Sequence, residues 1–139
     1  MPGYARHFTV HWNECDPARI AFHANFVRWM DEGFSDWCTA LGIDFPAMQR
    51  VDPAFIGCPL VSVRCAFSSP ARHGDTLEHR IGPAVLTHRS FRVPHEFFKD
   101  GTAVAEGEQV RIWGRLDPGD VLRALPIPAD AGALLAGVG

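Results

Sequence analysis

The sequence predicts an α+β fold in which one long helix lies against an antiparallel sheet. Two patterns carry that prediction. Phe26, Met30, Phe34, Trp37 and Leu41 recur at spacings of four, four, three and four, the apolar stripe of a helix. Five other segments alternate apolar and polar residues with the period of half-buried strands, one before the helix and four after it. A sheet with one face covered by a helix is the simplest way to bury both patterns.

The first strand is expected over residues 8–12, where Phe8, Val10 and Trp12 alternate with Thr9 and His11. Asn13-Glu14-Cys15-Asp16-Pro17 follows, a cluster of turn-forming types in which proline pushes Asp16 out of the helical region. The helix is predicted from about Asn25 to Leu41, with Gly42 as its C-terminal cap. Gly33 lies inside it at a cost of roughly 1 kcal/mol relative to alanine, which predicts another backbone passing close by. The segment from Pro46 to Pro59 is expected to be a connection.

The second strand places Val61, Val63, Cys65 and Phe67 on one face and stops at Ser68-Ser69-Pro70. Gly74-Asp75 opens the third, with Leu77, His79 and Ile81 on one face. Residues 87–99 form the fourth, with Phe91, Val93, His95 and Phe97 in phase. Its Pro94 demands an edge position or a bulge. Asp100-Gly101 is a strong hairpin signal, and residues 102–115 are its return strand. The tail from about Asp117, with Pro126 and Pro128, is expected to be loop-rich.

With 139 residues, of which 47% are apolar, residues 1–139 are expected to form a single domain. A net charge of −3 argues against a nucleic-acid partner, and no apolar run is long enough to span a bilayer. The first residues lack the order of a secretory signal, so a cytoplasmic location is expected. Cys15, Cys38, Cys58 and Cys65 make no Cys-x-x-Cys pair, which fits reduced thiols.

Asp16 is the first chemical candidate. Projected towards a helix start, where unpaired N–H groups gather, a carboxylate suits attack on a polarised carbonyl. On spacing alone an ordinary Asp-Pro turn is the commoner reading. His7 and His11 would stand about 13 Å apart on a strand, too far to share a metal. His73, His79, His88 and His95 form no metal signature, so no metal is expected. His23 lies where the helix begins, and its backbone N–H matters more than its ring. Thr87-His88-Arg89-Ser90 with Arg92 is a modest basic cluster, most often merely solvated. Asp31 and Glu32 on the helix are likewise usually solvent-facing.

Three stretches go beyond generic pattern. Asn13-Glu14-Cys15-Asp16-Pro17-Ala18 with Phe22-His23-Ala24-Asn25-Phe26-Val27-Arg28-Trp29-Met30-Asp31 resembles the Asp-Pro-Ala loop and the Arg-Trp-hydrophobic-Asp helix of the 4-hydroxybenzoyl-CoA thioesterase family. Gly57-Cys58-Pro59-Leu60-Val61-Ser62, running on to Gly74-Asp75, and His88-Arg89-Ser90-Phe91 are also similar, as are Leu122-Arg123-Ala124 and Pro128-Ala129-Asp130. The resemblance runs through nearly the whole chain in order. It implies a hotdog fold, a five-stranded antiparallel sheet wrapped around a long central helix. It also implies hydrolysis of an acyl-CoA, of benzoyl or hydroxybenzoyl type, at a homodimer interface, with dimers pairing into a homotetramer.

By the same resemblance Asp16 falls on the catalytic aspartate, as nucleophile or general base. His23 falls on the position whose backbone N–H polarises the thioester carbonyl, where the family example has tyrosine. Asp31, Cys58 and Trp29 fall to the acyl pocket, with Cys58 in place of a threonine. Arg89 falls on a CoA-phosphate contact with His88 beside it, although Thr87 and His88 replace basic residues of the family. Arg19 stands where the family has glycine. No cofactor is implied, coenzyme A being part of the substrate. A hotdog enoyl-CoA hydratase and a non-catalytic acyl-CoA-binding domain are the alternatives. The hydratase needs an Asp-x-Asn-Pro-x-His arrangement that is absent here.

Overall fold

A computed structural model describes residues 3–138. Strand β1 (Tyr4–Thr9) leads through a 3-10 turn (Trp12–Glu14) to helix α1 (His23–Ala40) and a short helix α2 (Phe45–Val51). Then come β2 (Phe55–Gly57), β3 (Leu60–Phe67), β4 (Thr76–Ile81), β5 (Val85–Leu86), β6 (Ser90–Lys99), β7 (Thr102–Asp117), β8 (Val121–Leu125) and helix α3 (Ala129–Ala136).

The sheet is antiparallel in the order β1-β4-β6-β7-β2, with β3 and β8 also on β7 and β5 on β6. Among the described residues it has eight strands rather than five. The five predicted strands are β1, β3, β4, β6 and β7. The other three have two to five residues, too few to display a period. Helices α2 and α3, with β2 and β8, likewise replace the expected connection and loop-rich tail. Asp44 caps α2 by accepting the Ala47 N–H at 3.0 Å.

Strand β1 is displaced towards the N-terminus from the expected residues 8–12: Arg6 and Phe8 pair with His79 and Leu77 of β4, pairing stops at Thr9, and Trp12 belongs to the 3-10 turn. Pro94 sits where β4 has ended and β5 has not begun, so its missing N–H breaks no ladder there. Gly42 at φ +79° closes α1: its N–H meets the Thr39 carbonyl, and the Ile43 N–H meets that of Cys38.

Helix α1 buries Phe26, Trp29, Met30, Gly33, Phe34, Trp37 and Cys38 against the sheet. Two apolar clusters result, one around Phe26, Trp29, Met30 and Phe97 and the other around Phe34, Trp37, Phe91 and Trp113. Gly33 lies over β4. A Cβ there would stand 2.5 Å from His79 Cε1 and 2.5 Å from Ile81 Cδ1. The close neighbours are therefore side chains of the sheet, not the passing backbone that the glycine predicted.

Candidate active site

The loop between β1 and α1 is a small folded unit. Cys15 forms an antiparallel bridge with Ala21, and the Asp16 N–H donates to the Ile20 carbonyl at 3.0 Å. Asp16 Oδ1 accepts the Ala18 N–H at 2.9 Å, the local turn bond that aspartate before proline favours. Its Oδ2 has no hydrogen-bond donor among the described residues. The carboxylate lines a groove of about 590 Å³ with Trp12, Asn13, Cys15, Pro17, Arg19 and His73. Trp12 is 77% exposed on its rim.

Glu14 ties this loop to the helix. Its carboxylate accepts the His11 N–H at 2.7 Å, the Trp29 indole N–H at 3.2 Å and an Arg28 guanidinium N–H. Burial alone would raise its pKa, but these bonds and the Arg28 charge together hold the carboxyl below its usual range. Trp29, grouped with the acyl pocket by resemblance, is 2% exposed and packs on Phe8 and Phe26, behind the loop.

The antiparallel bridge delivers the chain directly to the start of α1. Phe22 is the N-cap residue, and no side-chain cap is made among the described residues. The Asn25 N–H turns back to the Phe22 carbonyl at 2.9 Å, while the His23 and Ala24 N–H groups have no acceptor among the described residues and carry the partial positive charge found at helix starts. The His23 ring lies 4.4 Å from that of Phe22, centroid to centroid.

Asp31 lies eight residues further, about 12 Å along the helix axis. Its Oδ1 accepts from Gln109 Nε2 at 2.8 Å and from Arg111 Nη2 at 2.7 Å. Arg111 is buried, stacks over the Phe34 ring at 4.2 Å, and donates through Nη1 to the Cys58 carbonyl at 2.8 Å. The structure thus brings Asp31 and the Cys58 backbone together through one guanidinium. The Cys58 thiol is buried, and burial, with Cys38 nearby, pushes its pKa up.

Gln109 in turn joins a buried string. Its Oε1 meets His95 Nε2 at 2.8 Å, His95 Nδ1 meets His79 Nε2 at 2.8 Å, and Arg6 Nε donates to His79 Nδ1 at 3.1 Å. Burial pushes both imidazole pKa values down, and neighbouring positive charge adds to it. Sequence reasoning missed Arg6, Gln109 and Arg111. The signal was present: His79 and His95 fall in phase with core residues of their strands, and a polar residue in core phase requires a partner.

His88 and Arg89 sit in the exposed turn before β6, where the tail folds over them. The His88 carbonyl accepts the Ile127 N–H at 3.1 Å, and Arg89 Nη1 donates to the Ala124 carbonyl at 3.0 Å. Within one chain the predicted residues therefore fall into three groups: the Asp16 loop leading to His23, the Asp31–Cys58 pair, and His88–Arg89.

A family model described as the thioesterase-like superfamily matches residues 10–135. A 4-hydroxybenzoyl-CoA thioesterase of Pseudomonas sp. strain CBS-3 is 26% identical over 126 residues, 87% of this chain and 89% of the relative. A 1,4-dihydroxy-2-naphthoyl-CoA hydrolase of Prochlorococcus marinus subsp. pastoris is 32% identical over 103 residues, 71% of this chain and 68% of the relative. Among solved structures, a 4-hydroxybenzoyl-CoA thioesterase mutant complexed with 4-hydroxybenzoyl-CoA has a TM-score of 0.87 at 23% identity, covering 97% of this chain and 99% of that one. A gentisyl-coenzyme A thioesterase has a TM-score of 0.77 at 31% identity, covering 96% of this chain and 99% of that one. With the sheet wrapped around α1 and the match running from the end of β1 into α3, the chain belongs to the thioesterase-like superfamily and has its hotdog fold.

Proposed function

We propose that this thioesterase hydrolyses an aromatic acyl-CoA to the free acid and coenzyme A. The observation that carries the reading is the Asp16 carboxylate. It lines an open groove from a loop whose own hydrogen bonds lead into the uncapped start of α1. The names of the relatives, which act on hydroxybenzoyl, gentisyl and dihydroxynaphthoyl thioesters, support an aromatic acyl group.

The thioester carbonyl oxygen points to the His23 N–H, so the charge that develops in the tetrahedral state meets a fixed donor at the helix dipole's positive end. Asp16 then acts in one of two ways. As nucleophile, its Oδ2 bonds to the carbonyl carbon and the C–S bond breaks. CoA thiolate leaves with the electron pair, and water hydrolyses the resulting anhydride. As general base, Asp16 takes a proton from the water that attacks. Either route ends in the acid and CoA, and the thiolate leaves without a strong acid. The acyl ring lies by Asp31 and Cys58, while His88 and Arg89 meet the CoA phosphates.

Val61, Val63 and Phe67 are exposed on β3, which among the described residues pairs with β7 along one side. An edge so apolar supports a homodimer, pairing further into a homotetramer, in which a second copy brings the separate groups of residues together. We place the protein in the cytoplasm.

Release of thiol from a panel of acyl-CoAs tests this. The wild-type protein is expected to release thiol from aromatic thioesters, and Asp16→Asn to lower kcat roughly a hundredfold or more. An Asp16→Asn protein that turns over at the parent rate overturns the assignment. Binding without release would favour an acyl-CoA-binding domain, and loss of crotonyl-CoA absorbance a hydratase.

A further inference from the structure

The string from Arg6 to Asp31 has a direction. Arg6 Nε can only donate, so His79 Nδ1 must accept. A neutral imidazole that accepts at Nδ1 carries its proton on Nε2, and His79 Nε2 therefore donates to His95 Nδ1. The same reasoning makes His95 Nε2 the donor to Gln109 Oε1. The amide then presents its NH2 group to Asp31 Oδ1. Worked backwards from Asp31, whose carboxylate only accepts, the order is the same. Both ends impose one orientation on every member.

Its three middle members are sealed in the core: His79, His95 and Gln109 are each at most 1% exposed. No side-chain polar atom buried among the described residues is left without a partner. The string ends on a carboxylate whose side chain is 55% exposed, so a buried device terminates on an accessible group. It does not conduct protons, because arginine cannot release the proton that would start the transfer. What remains is geometry. Gln109 and Arg111 both bind Oδ1, which fixes the carboxylate plane, and Oδ2 has no donor among the described residues.

We propose that Arg6, His79, His95 and Gln109 are positioning residues for Asp31. They hold Oδ1 so that Oδ2 faces a hydrogen-bond donor, such as a ring hydroxyl, on the acyl group. This rests on the proposed placement of the acyl ring by Asp31. It adds the buried residues that fix which substrates are preferred, and the chemical class they select is an aromatic acyl group bearing a donor.

Two measurements test it. Nitrogen-15 NMR of the histidine rings in the wild-type protein near neutral pH is expected to show the Nε2–H form at both His79 and His95. An Nδ1–H form at either ring reverses the string and overturns the proposal. The second compares kcat/KM for hydroxybenzoyl-CoA isomers with that for benzoyl-CoA. In Gln109→Met, which keeps volume but removes the amide bonded to His95, Asp31 and Arg111, the ratio of the best hydroxylated substrate to benzoyl-CoA is expected to fall about tenfold. A merely structural role lowers both substrates in parallel, and an unmoved ratio overturns the positioning role. Wild-type protein that releases thiol from none of these substrates would sink the aromatic-thioester reading and the positioning role with it. That outcome is told apart from failure of the string alone because the wild-type rates are measured first.

Discussion

Arg19 holds φ at +66°, a left-handed conformation that costs a residue with a Cβ about 1–2 kcal/mol. The Asp16-Pro17-Ala18 turn forces it, since the Arg19 N–H must reach back to the Asp16 carbonyl at 2.8 Å. Family resemblance puts glycine at this position, and the backbone geometry explains why glycine suits it. Arg19→Gly is expected to stabilise the fold by roughly 0.5–1 kcal/mol, the relief of strain exceeding the greater chain entropy of glycine. Urea denaturation of the two proteins measures it, and a destabilised variant would mean that the arginine side chain contributes more than its backbone costs. Asp16 itself was legible as a candidate from its place before proline. Its commoner reading as a turn residue also holds, because Oδ1 serves the turn while Oδ2 remains without a donor among the described residues.

Helix α1 shows how an element can be shaped by what crosses beneath it. Its stripe announced a buried face, but the stripe omitted Trp29, Gly33 and Cys38, all of which are buried. The buried face is wider than a single seam because the sheet curves around the helix. At Gly33, α1 lies so close over the His79 ring of β4 that no Cβ fits between them. Alanine there would gain helix propensity of about 1 kcal/mol. It would also thrust a methyl group into a ring held on both nitrogens. Gly33→Ala is therefore expected to lose about 1–3 kcal/mol of stability, the usual cost of overpacking, read from its thermal or urea midpoint. A variant more stable than wild type would show that the helix can rise off the sheet without loss.

At the scale of the whole molecule, the two buried histidines link folding to pH. Each folded-state pKa lies below the ordinary value of 6.5, first because burial disfavours the charged ring and then because positive charge lies nearby. The unfolded chain therefore binds more protons as the pH falls below about 6.5. Stability is complete above that value and is lost as acidification proceeds towards the lowered folded values. Each histidine contributes a slope of up to about 1.4 kcal/mol per pH unit in this window. Urea titrations at pH 7 and pH 5 are expected to show the loss. A flat profile would mean that the rings are hydrated or charged in the native state.

The sequence by itself was enough to place the helix stripe, strands β3, β4, β6 and β7, the Asp100-Gly101 hairpin and the Gly42 cap, and to signal a first strand whose bounds it missed. Each is a local pattern, set by side-chain period or by a backbone angle that few residues accept. It also marked Asp16, His23, Asp31, Cys58, His88 and Arg89, through a resemblance that runs along the chain. Only the tertiary structure decided that Asp31 meets Cys58 through Arg111, and that Trp29 fastens the loop from behind through Glu14. It alone joined Arg6, His79, His95 and Gln109, which are contributed by four different strands. The physical reason is range. Periodicity reports which face of an element is buried, whereas the partner of a buried polar group is chosen by strand register and by the packing of helix on sheet, which bring together residues 73 positions apart for Arg6 and His79 and 80 apart for Asp31 and Arg111.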